Sequence, residues 1–199
     1  MIEISNQCFF LSKTWHLAYY IPNNRPQGSL SNYILKFKEN ETYFVESWSR
    51  WAKDELAKTN VPFNFIIRAL GGAETLVTGS KGLDALGRYL AQELNAIYCP
   101  KVLQKIRPTP SMHTIKKKAD REAAILGSYI VADQQYSFNN KKILIIDDVC
   151  TSGTTIMEII RSLREIWPDG HYYFFFLAKT NYNEHANDNI KQRYFKAML

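Results

Sequence analysis

The sequence predicts an α/β fold in which a central, mostly parallel sheet is flanked by helices. Two apolar runs, residues 143–147 and residues 171–178, have the composition of strands that are covered on both faces. Between them, the segment TTIMEIIRSLREI repeats isoleucine and leucine at intervals of three and four, the period of an amphipathic helix. Strand, helix and strand in this order indicate parallel strands joined by crossover helices, and such sheets bind ligands at the carboxyl ends of their strands.

The preceding elements continue the alternation. Residues 41–58, ETYFVESWSRWAKDELAK, have the period of an amphipathic helix, and residues 22–32 before them are typical of a loop because they contain proline, asparagine and glycine. Residues 63–72, FNFIIRALGG, indicate a short strand that runs into a glycine turn. Residues 80–95, SKGLDALGRYLAQELN, place four leucines on one face of a helix and carry a serine near its start.

Weaker patterns complete the chain. Residues 97–106 predict a pair of strands, residues 107–121 are polar and basic, and residues 129–131 predict a short strand. The tail, residues 181–199, is polar at first, and its end favours a short helix. A chain of 199 residues is long enough for one sizeable core and short for two full domains.

Charge and composition limit the class of protein. Lysine and arginine number 25 against 19 acidic residues, a net charge of +6, and part of the excess lies in Lys116, Lys117 and Lys118 with Arg121 nearby. Such a patch attracts phosphate in any form, so nucleic acid, nucleotides and sugar phosphates all stay open as partners. A run of like charges is also common on an ordinary solvated face.

Cysteine usage and the N-terminus favour a cytoplasmic protein. Cys8, Cys99 and Cys150 are far apart and form neither a CxxC pair nor a Cys/His spacing suited to zinc, which indicates a reducing compartment. The N-terminus has no basic region followed by a long apolar core, and no apolar run approaches the length of a membrane span. We therefore expect no membrane partner.

The stretch KKILIIDDVCTSGTT, residues 141–155, carries the clearest chemical signal. An apolar strand ends in Asp147 and Asp148, and a small hydroxylated loop then leads into the helix that begins near Thr154. The N–H groups at the start of that helix lack intrahelical acceptors and lie at the positive end of its dipole, so the loop suits a phosphate. Because Gly153 lets the backbone approach closely, a ribose 5-phosphate fits, with its phosphate in the loop and its hydroxyls against the two acids.

Three other interpretations of this stretch fit less well. A Walker B acid would require a G-x-x-x-x-G-K-[ST] segment, and the sequence contains none. A haloacid-type phosphatase would need one residue between its two aspartates, whereas Asp147 and Asp148 are adjacent. A strand that ends in a solvated acidic turn is common for one aspartate and unusual for two that precede such a loop.

The segment ILIIDDVCTSGTT, residues 143–155, resembles the 5-phosphoribosyl-1-pyrophosphate (PRPP) motif of type I phosphoribosyltransferases. Three more segments resemble the ComF-type branch of that family: LSNYILKFKENE at residues 30–41, KGLDALGRYLAQELN at residues 81–95 and RPTPSMHTIKKKADREAAILGSYIV at residues 107–131. Three features depart from the pattern. The cysteine count excludes the N-terminal zinc ribbon that ComF-type proteins often carry, no prolines precede the pyrophosphate loop, and Met112 stands where a glutamine is expected.

The resemblance implies a set of site residues. One continuous run would bind the ribose and its 5-phosphate: Asp147, Asp148, Val149, Cys150, Thr151, Ser152, Gly153, Thr154 and Thr155. A second loop would bind the leaving pyrophosphate, with its backbone amides facing that group: Arg68, Ala69, Leu70 and Gly71. The two aspartates would also hold Mg²⁺, directly or through water. The residues expected to take part in catalysis are Asp147, Asp148, Lys105 and Arg107, the last two as neutralisers of the leaving-group charge.

Within the same resemblance, the basic stretch at residues 105–121 takes the place of a mobile loop that closes over the substrate. His113 is the histidine placed to act there as a general acid or base, and a bystander role is left open. Cys150 is interpreted as a small space-filling residue, not as a redox centre. A hood at residues 1–60, with aromatics that could stack on a base, would pack on a core at residues 61–180, and the tail would follow. The hood aromatics are Phe9, Phe10, Trp15, Tyr19 and Tyr20.

The activity that the resemblance implies is transfer of ribose 5-phosphate from PRPP to a nitrogen nucleophile such as a nucleobase, with release of pyrophosphate. Loss of pyrophosphate leaves an oxocarbenium-like centre, so catalysis would depend on positioning, charge neutralisation and exclusion of water. Two alternatives stay open: a non-catalytic PRPP or nucleotide sensor, and a ComF-type accessory protein in DNA uptake. A homodimer is compatible with each of these functions.

Overall fold

The computed structural model describes residues 1–4, 11–22, 29–79, 81–110, 115, 117–183 and 194–195. Within these ranges the chain forms the helices α1 Leu30–Lys38, α2 Thr42–Ala57, α3 Gly82–Glu93, α4 Lys118–Ile125 and α5 Thr154–Ile166. The strands are β1 Ile2–Ile4, β2 Leu11–Tyr20, β3 Phe65–Arg68, β4 Ile97–Tyr98, β5 Leu103–Lys105, β6 Tyr129–Val131, β7 Lys142–Cys150 and β8 His171–Thr180. Among the helices in these ranges, none has the length and apolar character needed to cross a membrane.

Six strands form the central sheet in the order β1-β2-β8-β7-β3-β4. Only β1 runs antiparallel to its neighbour; the other four pairs are parallel. The chain leaves β3 through α3 toward β4, and it leaves β7 through α5 toward β8 in the opposite direction. The carboxyl ends of β3 and β7 therefore form the switch point at which open α/β sheets bind ligands. The predicted α/β fold with a central, mostly parallel sheet is confirmed.

Alternating side chains along β7 divide the core into two layers. Leu144 and Ile146 belong to the layer that contains the buried residues of α1, α2 and α3. Ile143 and Ile145 belong to the layer that contains the buried face of α5. Because both faces of β7 are covered, its sequence is continuously apolar up to the two aspartates.

A second, smaller sheet consists of β5 and β6 in antiparallel register. The expectation that residues 97–106 contain two strands paired with each other is therefore wrong in its pairing. β4 extends the central sheet beside β3. β5 pairs instead with β6, the strand that follows α4 in the chain. A short apolar run indicates a strand without identifying its partner, since pairing depends on where the rest of the chain lies.

The N-terminal region differs most from the sequence-based expectations. The loop predicted at residues 22–32 ends earlier, because α1 begins at Leu30 and the Oγ of Ser29 accepts the N–H of Asn32 at 3.1 Å. β2, which the sequence patterns did not indicate, lies inside the central sheet between β1 and β8. The division into hood, core and tail stays a prediction. The predicted final helix falls largely outside the described residues.

Candidate active site

A cleft of about 780 Å³ opens at the carboxyl ends of β3 and β7. The loop that follows β3, residues 69–74, lines it through Leu70, Gly71, Gly72 and Glu74. The loop that follows β7, residues 151–153, and the first turn of α5 line it through Thr151 and Thr155. The end of α1 and the end of β8 contribute further residues to the lining. The fold thus brings the two sequence-predicted loops to a single cavity, although they are about eighty positions apart in the chain.

Asp147 and Asp148 both line this cleft. Because they are consecutive residues of β7, their side chains leave opposite faces of the sheet. Asp148 forms an ion pair with Lys38, and Asp148 Oδ1 lies 3.0 Å from Lys38 Nζ. Asp147 Oδ1 accepts the backbone N–H of Asp148 at 2.8 Å. The pair therefore presents two carboxylates of different character, one matched by a cation and one turned toward the protein interior.

Burial raises the pKa of the Asp147 carboxyl to about 7, and the neighbouring Asp148 carboxylate adds to the shift. The positive charges of Lys38 and Lys105 act in the opposite direction without cancelling it. A carboxyl with this pKa is close to half protonated at neutral pH, so its charge responds readily to a ligand that brings further charge into the cleft.

Lys38 is a cleft residue that the sequence patterns did not single out. It is the last residue of α1, and the adjacent Asp148 carboxylate raises its pKa although partial desolvation acts in the opposite direction. Only the resemblance of residues 30–41 to an early family segment pointed toward this part of the chain. Lys38 and Asp148 are 110 positions apart, so no local spacing could have paired them.

The loop after β7 has an uncapped helix start. Gly153 is the N-cap of α5 with a φ of 78°, a left-handed conformation that glycine adopts without strain, and no side chain caps the helix there. The first N–H groups of α5 consequently lack intrahelical acceptors and lie at the positive end of the helix dipole. Thr151 Oγ1 lies 3.1 Å from Thr180 Oγ1, and Thr155 lines the cleft. This arrangement fits the predicted phosphate cradle.

Cys150 is buried at the start of this loop, and burial raises the pKa of its thiol to about 12. A thiol in that state is a poor nucleophile. Its environment agrees with the interpretation of Cys150 as a space-filling residue. Val149 lines the cleft, whereas Ser152 Oγ lies 3.2 Å from Thr154 Oγ1.

The loop after β3 is already occupied by bonds within the protein. The N–H of Ala69 donates to Ile146 O at 2.9 Å, and the N–H of Leu70 donates to the Tyr129 hydroxyl at 3.0 Å. The N–H of Gly71 donates to Glu74 Oε2 at 2.7 Å. The resemblance implies amides that face a leaving group, but in this conformation all three N–H groups have internal acceptors.

Arg68 and Glu74 form a buried ion pair beneath that loop. The two guanidinium nitrogens donate to the two carboxylate oxygens at 3.1 and 2.9 Å, and one of them also donates to Ala69 O at 3.0 Å. The side chains are 0% and 7% exposed. Both residues line the cleft. The predicted pyrophosphate residue Arg68 therefore lies at the cleft with its charge already balanced.

Lys105, predicted for the leaving-group charge, lies under the same loop. Its Nζ donates to Gly71 O at 2.8 Å and to Thr109 Oγ1 at 3.0 Å, and it sits 5.1 Å from the centre of the Tyr129 ring. Burial lowers the pKa of Lys105 to about 8, while the nearby acids Asp147 and Glu74 oppose that shift. In this conformation the Lys105 ammonium stabilises the loop through its bond to Gly71 O.

Arg107, the other predicted cation, is not among the cleft residues. Its guanidinium donates to Ala124 O and Leu126 O, both at 2.9 Å, and so satisfies carbonyl groups at the end of α4. The structure does not bring Arg107 together with the two aspartates. Met112 and His113, also in the basic stretch, lie outside the described residues.

The predicted hood aromatics separate into three groups. Tyr20 lines the cleft beside Pro22 and Tyr182. Trp15 is instead buried in the core, where it stacks on Tyr173 with ring centres 5.8 Å apart. Tyr19 packs against His16, and Phe9 and Phe10 lie outside the described residues. Among the described residues of that set, Tyr20 alone lines the cleft, and stacking on a base stays a prediction.

The carboxylates of the cleft suit a magnesium ion that is shared with a ligand. Within the described part of the chain, no group of three or more His, Cys, Asp or Glu residues is arranged to hold a metal by itself. Mg²⁺ commonly takes one or two carboxylates and completes its shell with water and substrate phosphate oxygens. Asp147 and Asp148 bring carboxylates to the cleft, and a magnesium ion held there with a ligand stays a prediction.

Comparison with other proteins gives only structural likeness. No family model matches the sequence, and no curated protein matches it. Similar solved structures include an adenine phosphoribosyltransferase from Trypanosoma brucei in complex with AMP, pyrophosphate and ribose-5-phosphate, at 12% identity over 87% of this chain and 84% of that chain, with a TM-score of 0.46. A hypoxanthine phosphoribosyltransferase from Staphylococcus aureus is 15% identical over 74% of this chain and 69% of that chain, with a TM-score of 0.42. Likeness at this level concerns general architecture and carries no argument about function.

Proposed function

We propose that this chain is a phosphoribosyltransferase of type I, related to the ComF-type branch, that transfers ribose 5-phosphate from PRPP to a nitrogen nucleophile and releases pyrophosphate. One observation carries the proposal: two anion-compatible loops flank a pair of adjacent carboxylates at the switch point of the sheet. PRPP has the matching order of groups, with a phosphate at one end, hydroxyls in the middle and a diphosphate at the other end.

The geometry of the cleft suggests how PRPP would lie. The 5-phosphate would accept N–H groups from the first turn of α5, where Gly153 leaves them uncapped. The ribose hydroxyls would meet Asp147 and Asp148. The diphosphate would extend toward the loop after β3, where Lys81 also lines the cleft. Mg²⁺, when bound with the diphosphate, would neutralise part of its charge, and the two aspartates would hold it directly or through water.

In the reaction, the bond between ribose C1 and the pyrophosphate oxygen breaks, its electron pair leaves with pyrophosphate, and a nitrogen lone pair forms the new bond to C1. The nitrogen then loses a proton. The aspartates stabilise the positive charge that develops on the ribose, and Lys81 and Lys105 add positive charge on the leaving-group side. No side chain has to act as a nucleophile.

The acceptor would lie against the apolar part of the cleft. This apolar part is lined by Tyr20, Pro22, Leu35, Phe37 and Tyr182. A flat heteroaromatic ring such as a nucleobase matches it, because aromatic and apolar side chains contact both its faces without needing hydrogen bonds. Cytoplasmic location, dimerisation and contact with nucleic acid stay predictions.

Calorimetric titration with PRPP and Mg²⁺ tests the proposal. We expect saturable binding by the natural protein and its loss in an Asp147→Asn, Asp148→Asn double variant. A Glu46→Gln, Asp169→Asn double variant is the matched control, because it removes two exposed carboxylates outside the cleft. Absence of PRPP binding by the natural protein would overturn the proposal.

A PRPP sensor is the second candidate, and the internally bonded amides of the loop after β3 favour it. Release of pyrophosphate in the presence of a panel of nucleobases separates the two functions. Turnover supports the transferase, whereas PRPP binding without turnover for any base supports the sensor.

A further inference from the structure

The loop after β3 already binds an anionic group of the protein itself, the carboxylate of Glu74. Glu74 turns back on the loop through a bond from its own N–H to Gly71 O at 3.1 Å. Its carboxylate then receives the N–H of Gly71 at 2.7 Å and the guanidinium of Arg68 at 2.9 and 3.1 Å. Backbone amide plus guanidinium is a donor set that also binds phosphate oxygens.

The arrangement is a tightly fitted site. A Cβ added at Gly71 would lie 3.1 Å from Glu74 Oε2, so the absence of a side chain there permits the close approach. The Arg68 side chain is fully buried, and its Nε is buried without a hydrogen-bond partner in the described part of the chain. Burial opposes ionisation of Glu74, but the bonds from Arg68 and Gly71 outweigh it and hold the pKa of Glu74 below its usual range.

The site is also continuous with the cleft. Arg68, Gly71 and Glu74 all line it, and Lys81 reaches to 3.8 Å from Glu74 Oε1 while remaining 47% exposed. A phosphate group that entered from the cleft would therefore meet the same donors that Glu74 now uses. It could reach them only if the Glu74 carboxylate moved aside, since two anions cannot share one amide and one guanidinium without strong repulsion.

We propose that Glu74 determines which anions this loop accepts: its carboxylate occupies the diphosphate position in the ligand-free protein and is displaced when pyrophosphate or the diphosphate of PRPP binds. The inference rests on the proposed function, because it assigns the displaced position to the leaving group of that reaction. Exchange conserves the hydrogen bonds of Arg68 and Gly71. A ligand with several charges, which also gains Lys81, can displace Glu74, whereas a monoanion gains too little to do so.

Pyrophosphate affinity in a Glu74→Gln variant tests the idea, because glutamine keeps the shape of the side chain and removes its charge. We expect pyrophosphate to bind at least about tenfold more tightly than to the natural protein, measured by calorimetry without metal. Glu158→Gln is the matched control. Glu158 is likewise buried, paired with an arginine, Arg161, and bonded to a backbone N–H, that of Tyr129, yet it lies outside the cleft lining. Affinity unchanged or reduced in Glu74→Gln would overturn the proposal.

A measurement on the natural protein covers the case in which Glu74→Gln does not fold. In protein labelled with ¹³C at glutamate side-chain carboxyls, the Glu74 signal should move when pyrophosphate is added, because the carboxylate leaves Arg68. A stationary Glu74 signal under saturating pyrophosphate would contradict displacement. If PRPP binds and the Glu74 tests fail, only this inference is lost; if neither PRPP nor pyrophosphate binds to any variant, the proposed function and the inference both fall.

Discussion

The two loops that border the cleft treat their backbone N–H groups in opposite ways. In the loop after β3, the N–H groups of Ala69, Leu70 and Gly71 all donate to acceptors within the protein. In the loop after β7, Gly153 has no side chain to cap α5, and the first N–H groups of that helix have no intrahelical acceptor.

This difference follows from composition. The loop after β7 contains threonine, serine and glycine, which bring no charge, so none of its own side chains is an anion that a phosphate would have to displace. The loop after β3 contains Glu74, whose carboxylate turns back to accept bonds from Gly71 and Arg68. Two loops at equivalent positions of one sheet therefore differ in what a ligand must do to enter: one is open, and the other requires an exchange of partners.

Removing the Arg68–Glu74 ion pair from the loop after β3 should have the largest effect on stability. Arg68→Met leaves the Glu74 carboxylate buried without its main partner, so we expect the free energy of unfolding to fall by about 3–5 kcal/mol in urea denaturation. The double variant Arg68→Met, Glu74→Met should recover most of that loss, since neither charge is then buried alone. A loss below about 1 kcal/mol in Arg68→Met would show that the pair does not hold the loop.

The acid between the two loops should show a pH signature. The folded-state pKa of Asp147 is about 7, above the ordinary aspartate value, so the folded protein binds the proton more tightly. Stability contributed by this group therefore declines as pH rises from about 4 to about 7. Asp147→Asn should be more stable than the natural protein at pH 8, by roughly 1–3 kcal/mol, and nearly equal to it at pH 4. Equal stability of the two proteins at pH 8 would argue against a raised pKa.

The open loop depends on the left-handed conformation of Gly153. Gly153→Ala should cost about 1 kcal/mol of stability through backbone strain and should weaken PRPP binding by shifting the N-terminus of α5. Gly127→Ala is a close control, because Gly127 also has a positive φ, 68°, and an added Cβ would meet no atom within 4 Å. Similar melting temperatures with weaker binding only in Gly153→Ala would tie the conformation to the ligand. Equal affinities of the two variants for PRPP would show that the left-handed conformation of Gly153 does not affect binding.

The smallest effect is expected at Lys38. Its ion pair with Asp148 is part-exposed, so Lys38→Met should change stability by less than about 1 kcal/mol. The pKa of Asp147 should nevertheless rise, because Lys38 is one of the charges that lower it. The ¹³C carboxyl titration of Asp147 reports this shift. Lys36→Met is the control, since Lys36 belongs to the same helix and pairs with Glu41 instead. A titration midpoint that moves equally in both variants would contradict the assignment.

The sequence predicted the parts of the molecule that have strong local patterns. β7 and α5 follow from an apolar run and a clear helical period, and the motif between them identified Asp147 and Asp148. β2 gave no such pattern, because Lys13, Thr14 and His16 interrupt its apolar residues even though Thr14 and His16 are buried. Local periodicity cannot show that a polar residue is buried by a partner strand.

The site partners were equally hard to predict. The Lys38–Asp148 ion pair joins the end of an unpredicted helix to the motif strand. The bonds from Glu74 to Gly71 and Arg68 require a specific turn, and the sequence showed only glycines followed by a charged residue. Charge pairing of this kind depends on tertiary structure, so composition indicated an anion site without showing that the protein itself fills it.

Hydrogen bonds join the small sheet, which lies outside the cleft lining, to the loop after β3. Tyr129 of β6 both accepts from and donates to the backbone of Leu70, and Lys105 of β5 donates to Gly71 O. Tyr129 is bonded in turn to α5, because its N–H donates to Glu158 and its carbonyl accepts from Arg161. A ligand that repositions Leu70 and Gly71 must then disturb the bonds of the small sheet, and a change in that sheet must alter ligand affinity by the same factor. The small sheet is thereby a point of thermodynamic linkage: a conformational change in the loop after β3 alters the free energy of ligand binding at the loop after β7.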